Sequence, residues 1–472
     1  MYKKGHIHFV GIGGIGMSGI AKILKYQGYA ISGCDLDLEQ KSVQELLSLG
    51  CSVFKGNNTD QCNHPSVDVL VYSSAIKADN QEIKNAQARG IPTIPRALML
   101  SELMRTKYSI AITGAHGKTT TTSMVAHLLI EADQDPTVIV GGHFKNISTN
   151  ARWGTGDFLV AEADESDRSL LRLYPTLAVV TNIDLEHLDT YTDINDIKQT
   201  FNQFLTNIPF YGKAIVCVDD MHILSLLPLP HVKTIKYGFD PRVADIYAQD
   251  VCLEKDHSTF NVYSNKAPGT DNPSEPVLLG SVYLAMPGRY NVLNSLAALA
   301  VALDLNIPFE VLAKAFKSFK GVEKRFSFKG IYKGTEIFDD YGHHPTEIFN
   351  TLLVARKRAD KKLIVVFQPQ RYTRTDKLWQ EFLNVFAYGP IDQLIITDIH
   401  GASETPLPGI TSQNLVTALK QKQPSCNVTY VPYDANLEAL CQELKLIISE
   451  GDLLLLLGAG KIDKLAELLQ NS

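Results

Sequence analysis

The chain has 472 residues, 45% of them hydrophobic and 20% charged, with a net charge of −6. That length exceeds one ordinary core and predicts roughly three domains of about 150 residues each. The acidic balance argues against a general binder of nucleic acid or of anionic membrane surfaces, and no apolar run approaches the ~18 residues of a membrane-spanning helix.

Seven scattered cysteines (Cys34, Cys51, Cys62, Cys217, Cys252, Cys426 and Cys441) form no CxxC pair. Their odd number and spacing read as reduced thiols of a cytoplasmic protein. The opening lysines before an apolar run resemble a signal peptide, but the glycines that follow fit a strand entering a turn better.

Short β-rich runs alternate with helical patterns along most of the chain, which predicts an α/β fold with parallel sheets. The first block starts with a strand at His6–Val10, a glycine loop and a helix from about Met17, then strands at Tyr29–Gly33 and Val67–Tyr72. Gly11, Gly13 and Gly16 fit G-x-G-x-x-G, and Asp35 follows about 20 residues on, as in Rossmann-like dinucleotide sites. Alone, that pattern suits a nicotinamide dehydrogenase, yet the same turn cradles any pyrophosphate, including a UDP-sugar diphosphate. Ser73 and Ser74, after the third strand, would face the same crevice.

The second block runs from about residue 108 to 322. A strand at Ser109–Thr113 enters Gly114-Ala115-His116-Gly117-Lys118-Thr119-Thr120, and a helix follows. Backbone N–H groups of such a turn and the positive end of the helix hold a phosphate. Lys118 would neutralise β- and γ-phosphates, and the Thr119 hydroxyl would bind Mg²⁺. Ile112 stands where the longer P-loop has its first glycine, so this is a shorter form. Strands Phe158–Ala161 and Leu177–Val180 end at EADESD (162–167) and TNIDLEH (181–187), beyond the same carboxyl edge. Glu162 and His187 are therefore read as metal ligands with Thr119, whereas Asp164, Glu165 and Asp167 read as solvated caps. The polar stretch Asn265–Pro276 is predicted to be a loop. The third block, 323–472, should hold strands at Glu336–Asp339, Leu363–Phe367, Leu394–Asp398, Val428–Val431 and Leu453–Leu457.

On GIGGIGMSGIA, SSAI, TGAHGKTTTT, EADESD, TNIDLEH, GRYNVLN, EKRF, DDYGHHPTE and QPQRYTRT, in this order, the chain resembles the Mur ligases over essentially its whole length. The resemblance implies a Rossmann-like UDP-sugar-binding domain (1–107), a central P-loop ATPase-like domain with a parallel sheet (108–322) and a Rossmann-like C-terminal domain that receives an amino acid (323–472). It implies an ATP- and Mg²⁺-dependent ligation in peptidoglycan precursor synthesis. Its substrates would be UDP-N-acetylmuramate, L-alanine and ATP, its partners neither nucleic acid nor membrane, and its state monomer or homodimer.

The family pattern puts Lys118, His187, Arg325 and Asp340 in catalysis. It puts Asn291, Asn294 and His344 with Arg325, Asp340 and the 114–120 turn at ATP, and Gly13, Gly14, Ile15, Asp35, Ser73 and Ser74 at the UDP-sugar. Tyr341, His343, Arg371 and Arg374 would surround the amino acid. Departures are Gln370, where the family usually has His, and Ala115, where Thr is common. The stretch Phe201–Tyr211 lacks the lysine of later-acting relatives, which favours the alanine-adding branch.

Overall fold

A computed structural model describes residues 4–56, 58, 65–77, 79–266, 273–402 and 404–471. Cys62 lies outside the described residues. So do residues 267–272 of the expected loop, whose two ends fall instead in strands Ser258–Lys266 and Pro273–Leu284.

The chain forms three sheets. The first is five-stranded and parallel throughout, in the order Ser52–Lys55, Ala30–Asp35, His6–Val10, Val67–Tyr72, Thr93–Pro95. Its order steps outward to both sides from the first strand, so the glycine loop sits at the switch point where ligands bind in doubly wound sheets. The third is six-stranded: Ser327–Tyr332 pairs antiparallel with Thr335–Asp340, and Leu453–Leu457, Leu363–Phe367, Gln393–Ile396 and Val428–Tyr430 continue it in parallel.

The central sheet has ten strands. Its parallel middle holds the expected Tyr108–Thr113, Phe158–Glu162 and Leu177–Val180. The expected parallel sheet is bordered by antiparallel strands at both edges. Ile246–Leu253, Ser258–Lys266 and Pro273–Leu284 form an antiparallel meander on one side, and Thr149–Arg152 folds back on Thr137–Phe144 at the other. In the middle strand of the meander buried Ser258, Phe260 and Val262 alternate with half-buried Thr259, Asn261 and Tyr263, so it lacks the continuous apolar run of a buried parallel strand.

Packing divides the molecule unequally. The N-terminal and central domains share one continuous apolar cluster, from Phe9 and Ile20 to Ile139 and Val180. The C-terminal sheet instead has an apolar cluster of its own on each face. Helix Ile15–Tyr26 lies directly against the hairpin 137–152, and a Cβ on Gly19 would stand 3.2 Å from Ile139. Asn150 seals this contact. Its amide donates to the Ile15 carbonyl at 2.6 Å and to the Ser18 hydroxyl at 3.1 Å, and its oxygen accepts from the buried Lys22 ammonium at 2.6 Å. Removing that amide strands several buried polar groups at once. Asn150→Ala is therefore expected to lower stability by about 1–3 kcal/mol, read as a lower thermal midpoint with unchanged far-UV circular dichroism.

Candidate active site

The glycine turn after Tyr108–Thr113 is shaped by its neighbours. Gly114 adopts φ +133°, and a Cβ there would fall 2.1 Å from the Thr181 hydroxyl. The Thr181 hydroxyl and the Asn182 amide both donate to the His116 carbonyl, at 2.7 and 2.9 Å, and the His116 N–H donates to Asn182 Oδ1 at 2.8 Å. Gly117, at φ +81°, begins helix Lys118–Glu131, and a Cβ on it would meet Asn294 Oδ1 at 2.5 Å. That helix carries no side-chain cap and no acidic residue in its first turn, so its positive end is open to an anion.

Lys118 lies among carboxylates. Its Nζ donates to the Gly114 and Ala115 carbonyls at 2.6 and 2.9 Å and to Glu165 Oε1 at 2.6 Å. Burial alone would weaken its charge, but Glu165, Glu186 and Glu162 outweigh that and raise its pKa. Glu165 was read as a solvated cap; it is 2% exposed, because it is the counter-ion that a buried ammonium requires. The same Oε1 lies 3.2 Å from His187 Nε2, while Oε2 is buried without a partner. Asp164 likewise is paired, with Arg96 at 3.0 Å, whereas Asp167 caps the next turn through Ser169, as expected.

Of the three residues read as metal ligands, Thr119 and Glu162 lie together: the Thr119 side chain favours the charged form of Glu162, which accepts from the Gly141 N–H at 2.9 Å. Burial raises the Glu162 pKa, and Lys118 opposes the rise. His187, in left-handed backbone at φ +53°, groups with Glu165 and Glu186, their donor atoms within 4.8 Å of one another. Burial disfavours its charged form, but Glu165 and Glu186 win and raise its pKa.

A cavity of 430 Å³ opens beside the turn, walled by His116, Gly117 and Thr120 on one side and by Arg325, Asp340 and Glu347 of the C-terminal domain on the other. Asn291 and Asn294, three apart on helix Arg289–Asp304, present both amides to it, 1% and 6% exposed. Asp340 accepts from the N–H groups of Phe326 and Gly342, each at 2.7 Å. Burial raises its pKa against the opposing charge of Arg325.

The motif DDYGHHPTE folds as a strand end followed by a helix start. His344 caps Pro345–Arg358, with Pro at the first helical position and Glu347 closing the capping box. Glu347 then reaches Arg325 at 3.5 Å and His116 at 3.4 Å. His116 also bonds Asp184 at 2.9 Å, and its ring lies 4.9 Å from that of His344.

Around Glu186 and His187 a small cleft of 20 Å³ is closed by Arg371, Arg374 and Leu378. His343 and Arg374 approach Glu186 at 3.4 and 3.5 Å, and Arg371 pairs with Asp189 at 3.0 Å. Tyr341 stacks edge-on against His343, with the Arg325 guanidinium 5.8 Å from its ring. Gln370, the departure, accepts from Arg374 at 3.2 Å.

At the first glycine loop, Gly14 begins helix Ile15–Tyr26, which also has no side-chain cap and no acidic residue in its first turn. Gly14 and Ile15 are exposed, and Ser73 packs beside Gly11 with Ser74 exposed next to it. Asp35 is buried: it accepts from the Gly13 N–H at 2.7 Å and so braces the loop from within. Sequence reasoning gave Glu165 only a capping role and assigned nothing to Glu186, Glu347, Arg96 or Tyr290, which lines the larger cavity. All but Arg96 stand inside quoted motifs, so the signal was there; Arg96 had none beyond its place in the fold.

A phosphate-type turn carrying a buried lysine, between a sugar-nucleotide-type loop and a nucleotide-sized cavity shared by two α/β domains, defines a three-domain ATP-dependent ligase. The chain belongs to the Mur ligase family: the family's catalytic domain matches residues 6–108, its middle domain 112–302 and its glutamate ligase domain 324–460. It is 48% identical to the UDP-N-acetylmuramate–L-alanine ligase of Geotalea uraniireducens, over 99% of this chain and 98% of that one. It is 46% identical to that of a Geobacter strain, over 99% and 97%. The crystal structure of the UDP-N-acetylmuramate–alanine ligase of Thermotoga maritima superposes with a TM-score of 0.77 at 26% identity, covering 99% of this chain and 98% of that one.

The charge cluster at the domain junction has a pH signature. Burial works against a charged His116, but Asp184 and Glu347 raise its pKa from the ordinary 6.5 to about 10. A pKa raised on folding stabilises fully below the unfolded value of 6.5 and is lost as pH climbs through about 10. The thermal midpoint of His116→Gln should thus fall furthest below that of the parent protein at pH values just under 6.5 and converge on it toward pH 10. A gap that is constant or grows with pH would contradict the cluster's charge assignment.

Proposed function

We propose that the chain ligates L-alanine to the lactyl carboxylate of UDP-N-acetylmuramate, converting ATP to ADP and phosphate, as a step of peptidoglycan precursor synthesis in the cytoplasm. One observation carries the reading, and the near-half identity to ligases of that name supports it. Lys118 lies between two cavities: its neighbours Gly117 and Thr120 line the 430 Å³ one, while Glu162, which acts on its charge, lines a second of 240 Å³ that reaches the first glycine loop.

In this reading ATP lies in the larger cavity, its base at Asn291 and Asn294 and its phosphates on the 114–120 turn. Arg325, Asp340 and His344 close over it. The sugar nucleotide lies along Gly13, Gly14 and Ile15, with Ser73 and Ser74 beside it. Domain boundaries fall near Lys107 and Val322. Val322 bridges to Phe144, and three left-handed residues, Gly321, Lys324 and Phe326, lie close on either side of it, as suits a hinge.

A carboxylate is a poor acyl donor. Its oxygen attacks the γ-phosphorus, the bond to the ADP oxygen breaks, and an acyl phosphate forms. The amine of alanine then attacks the acyl carbon, phosphate leaves, and the amine gives up a proton. Lys118 and Arg325 neutralise charge on the transferring group, as phosphoryl transfer demands. Arg371 and Arg374 take the alanine carboxylate, with Tyr341 and His343 beside them. The donors fall in two groups, Thr119 with Glu162 and His187 with Glu165 and its unpartnered Oε2, and Mg²⁺ would be held between them. When bound, the ion would shield phosphate charge.

Phosphate release should require UDP-N-acetylmuramate, Mg-ATP and an amino acid together, with alanine preferred over glycine and serine. Lys118→Ala should lower kcat about 10²- to 10³-fold while the fold persists. Undiminished turnover in that variant would remove the basis of the assignment.

A further inference from the structure

The 240 Å³ cavity lies between the N-terminal and central domains. Its floor is apolar, with Ile15, Ile20 and Leu100 facing Ile139 and Val140. Among the described residues lining it, one is a cation: Arg96, the first residue of helix Arg96–Met104. The Arg96 side chain is 20% exposed, and its Nη2 donates to Asp164 Oδ2 at 3.0 Å. Its other edge lies over Gly16, where a Cβ would stand 2.6 Å from Nη1. The third glycine of the loop is thus where the guanidinium rests on the first turn of helix Ile15–Tyr26.

That position is electrostatically odd. A cation at a helix N-terminus meets the positive end of the helix dipole. Arg96 stands at two such ends, that of its own helix and that of Ile15–Tyr26, and neither first turn holds an acidic residue. Asp164, 36% exposed, is the one carboxylate paired with it. The two helix ends at Arg96 favour a further anion there, against the carboxylates Glu162 and Asp164 that also line the cavity. Both Glu162 and Asp164 feel the charge of Lys118, so an anion on Arg96 lies within the field of the lysine at the phosphate turn.

Resting on the substrate reading above, we propose that Arg96 holds the lactyl carboxylate of the sugar nucleotide, taking it in exchange for Asp164. One carboxylate oxygen is gripped and the other faces the γ-phosphate. The apolar floor receives the lactyl and acetamido methyl groups. Arg96 is therefore the residue that separates an acid-bearing sugar nucleotide from a neutral one.

Steady-state kinetics test this. Arg96→Ala should raise KM for UDP-N-acetylmuramate about 10- to 100-fold, the scale of a lost hydrogen bond to a charged group, with KM for ATP and alanine unchanged. Arg96→Lys should recover part of the loss. In Gly16→Ala the new methyl meets only the flexible end of Arg96 and displaces it, so that variant should fold, show the same KM defect, and add nothing to Arg96→Ala when combined. Inhibition by UDP-N-acetylglucosamine, which has the diphosphate but no acid, should be equal in the parent and in Arg96→Ala. An unchanged KM for UDP-N-acetylmuramate would overturn the proposal. Equal weakening of both nucleotides would also overturn it, by moving Arg96 to the diphosphate. A parent protein inert toward UDP-N-acetylmuramate would instead sink the functional reading on which it rests.

Discussion

A single ammonium organises the centre of this molecule. The Lys118 side chain is only 16% exposed, and a charge so far withdrawn from water is tolerable only if opposite charge and hydrogen bonds surround it. Glu165, Glu186 and Glu162 meet that demand. They come from the ends of two strands flanking the one that feeds the phosphate turn, and it is the parallel order of the sheet that brings those ends together. The carboxylates in turn need partners of their own, which draws in His187, His343, Arg374 and the Thr119 hydroxyl. The polar site is one connected network, and its reach across three elements follows from one lysine.

The two domain interfaces are built from different physics. The N-terminal and central domains share an apolar core sealed by Asn150 and Lys22, so parting them would expose hydrocarbon and strand buried polar groups. The central and C-terminal domains meet largely through hydrogen bonds and ion pairs: Thr346 with Asp184, Arg371 with Asp189, Lys377 with the Leu188 carbonyl. Water can replace such contacts at little cost. The first interface is a fixed joint, and the second is suited to opening and closing around a nucleotide.

Much of this was legible in the residues. His6–Val10, Val67–Tyr72, Leu177–Val180, Leu363–Phe367 and Leu453–Leu457 occur at the predicted bounds, because each is a β-rich apolar run with polar or glycine punctuation. Both glycine turns were readable because strand, glycine and helix start coincide. The antiparallel meander was not, since its middle strand alternates buried and half-buried residues from Ser258 to Tyr263 and carries no continuous apolar signal. Glu165 was misread for a related reason: an acid after a strand is usually solvated, and its burial is imposed by Lys118, 47 positions away. Arg96 could not be found from sequence at all, because its meaning lies in Gly16 and Asp164, which only the fold places on either side of it.

The contact between Gly117 and Asn294 has a temporal side. The turn takes its shape against a helix that begins at Arg289, and the Thr121 hydroxyl donates to the same asparagine across 173 positions of chain. During synthesis from the N-terminus, the glycine turn emerges from the ribosome long before its mould does. A nascent chain that has completed the first sheet and half of the second therefore has the letters of a phosphate site without its form. The surroundings of that turn are complete only once helix Arg289–Asp304 has docked.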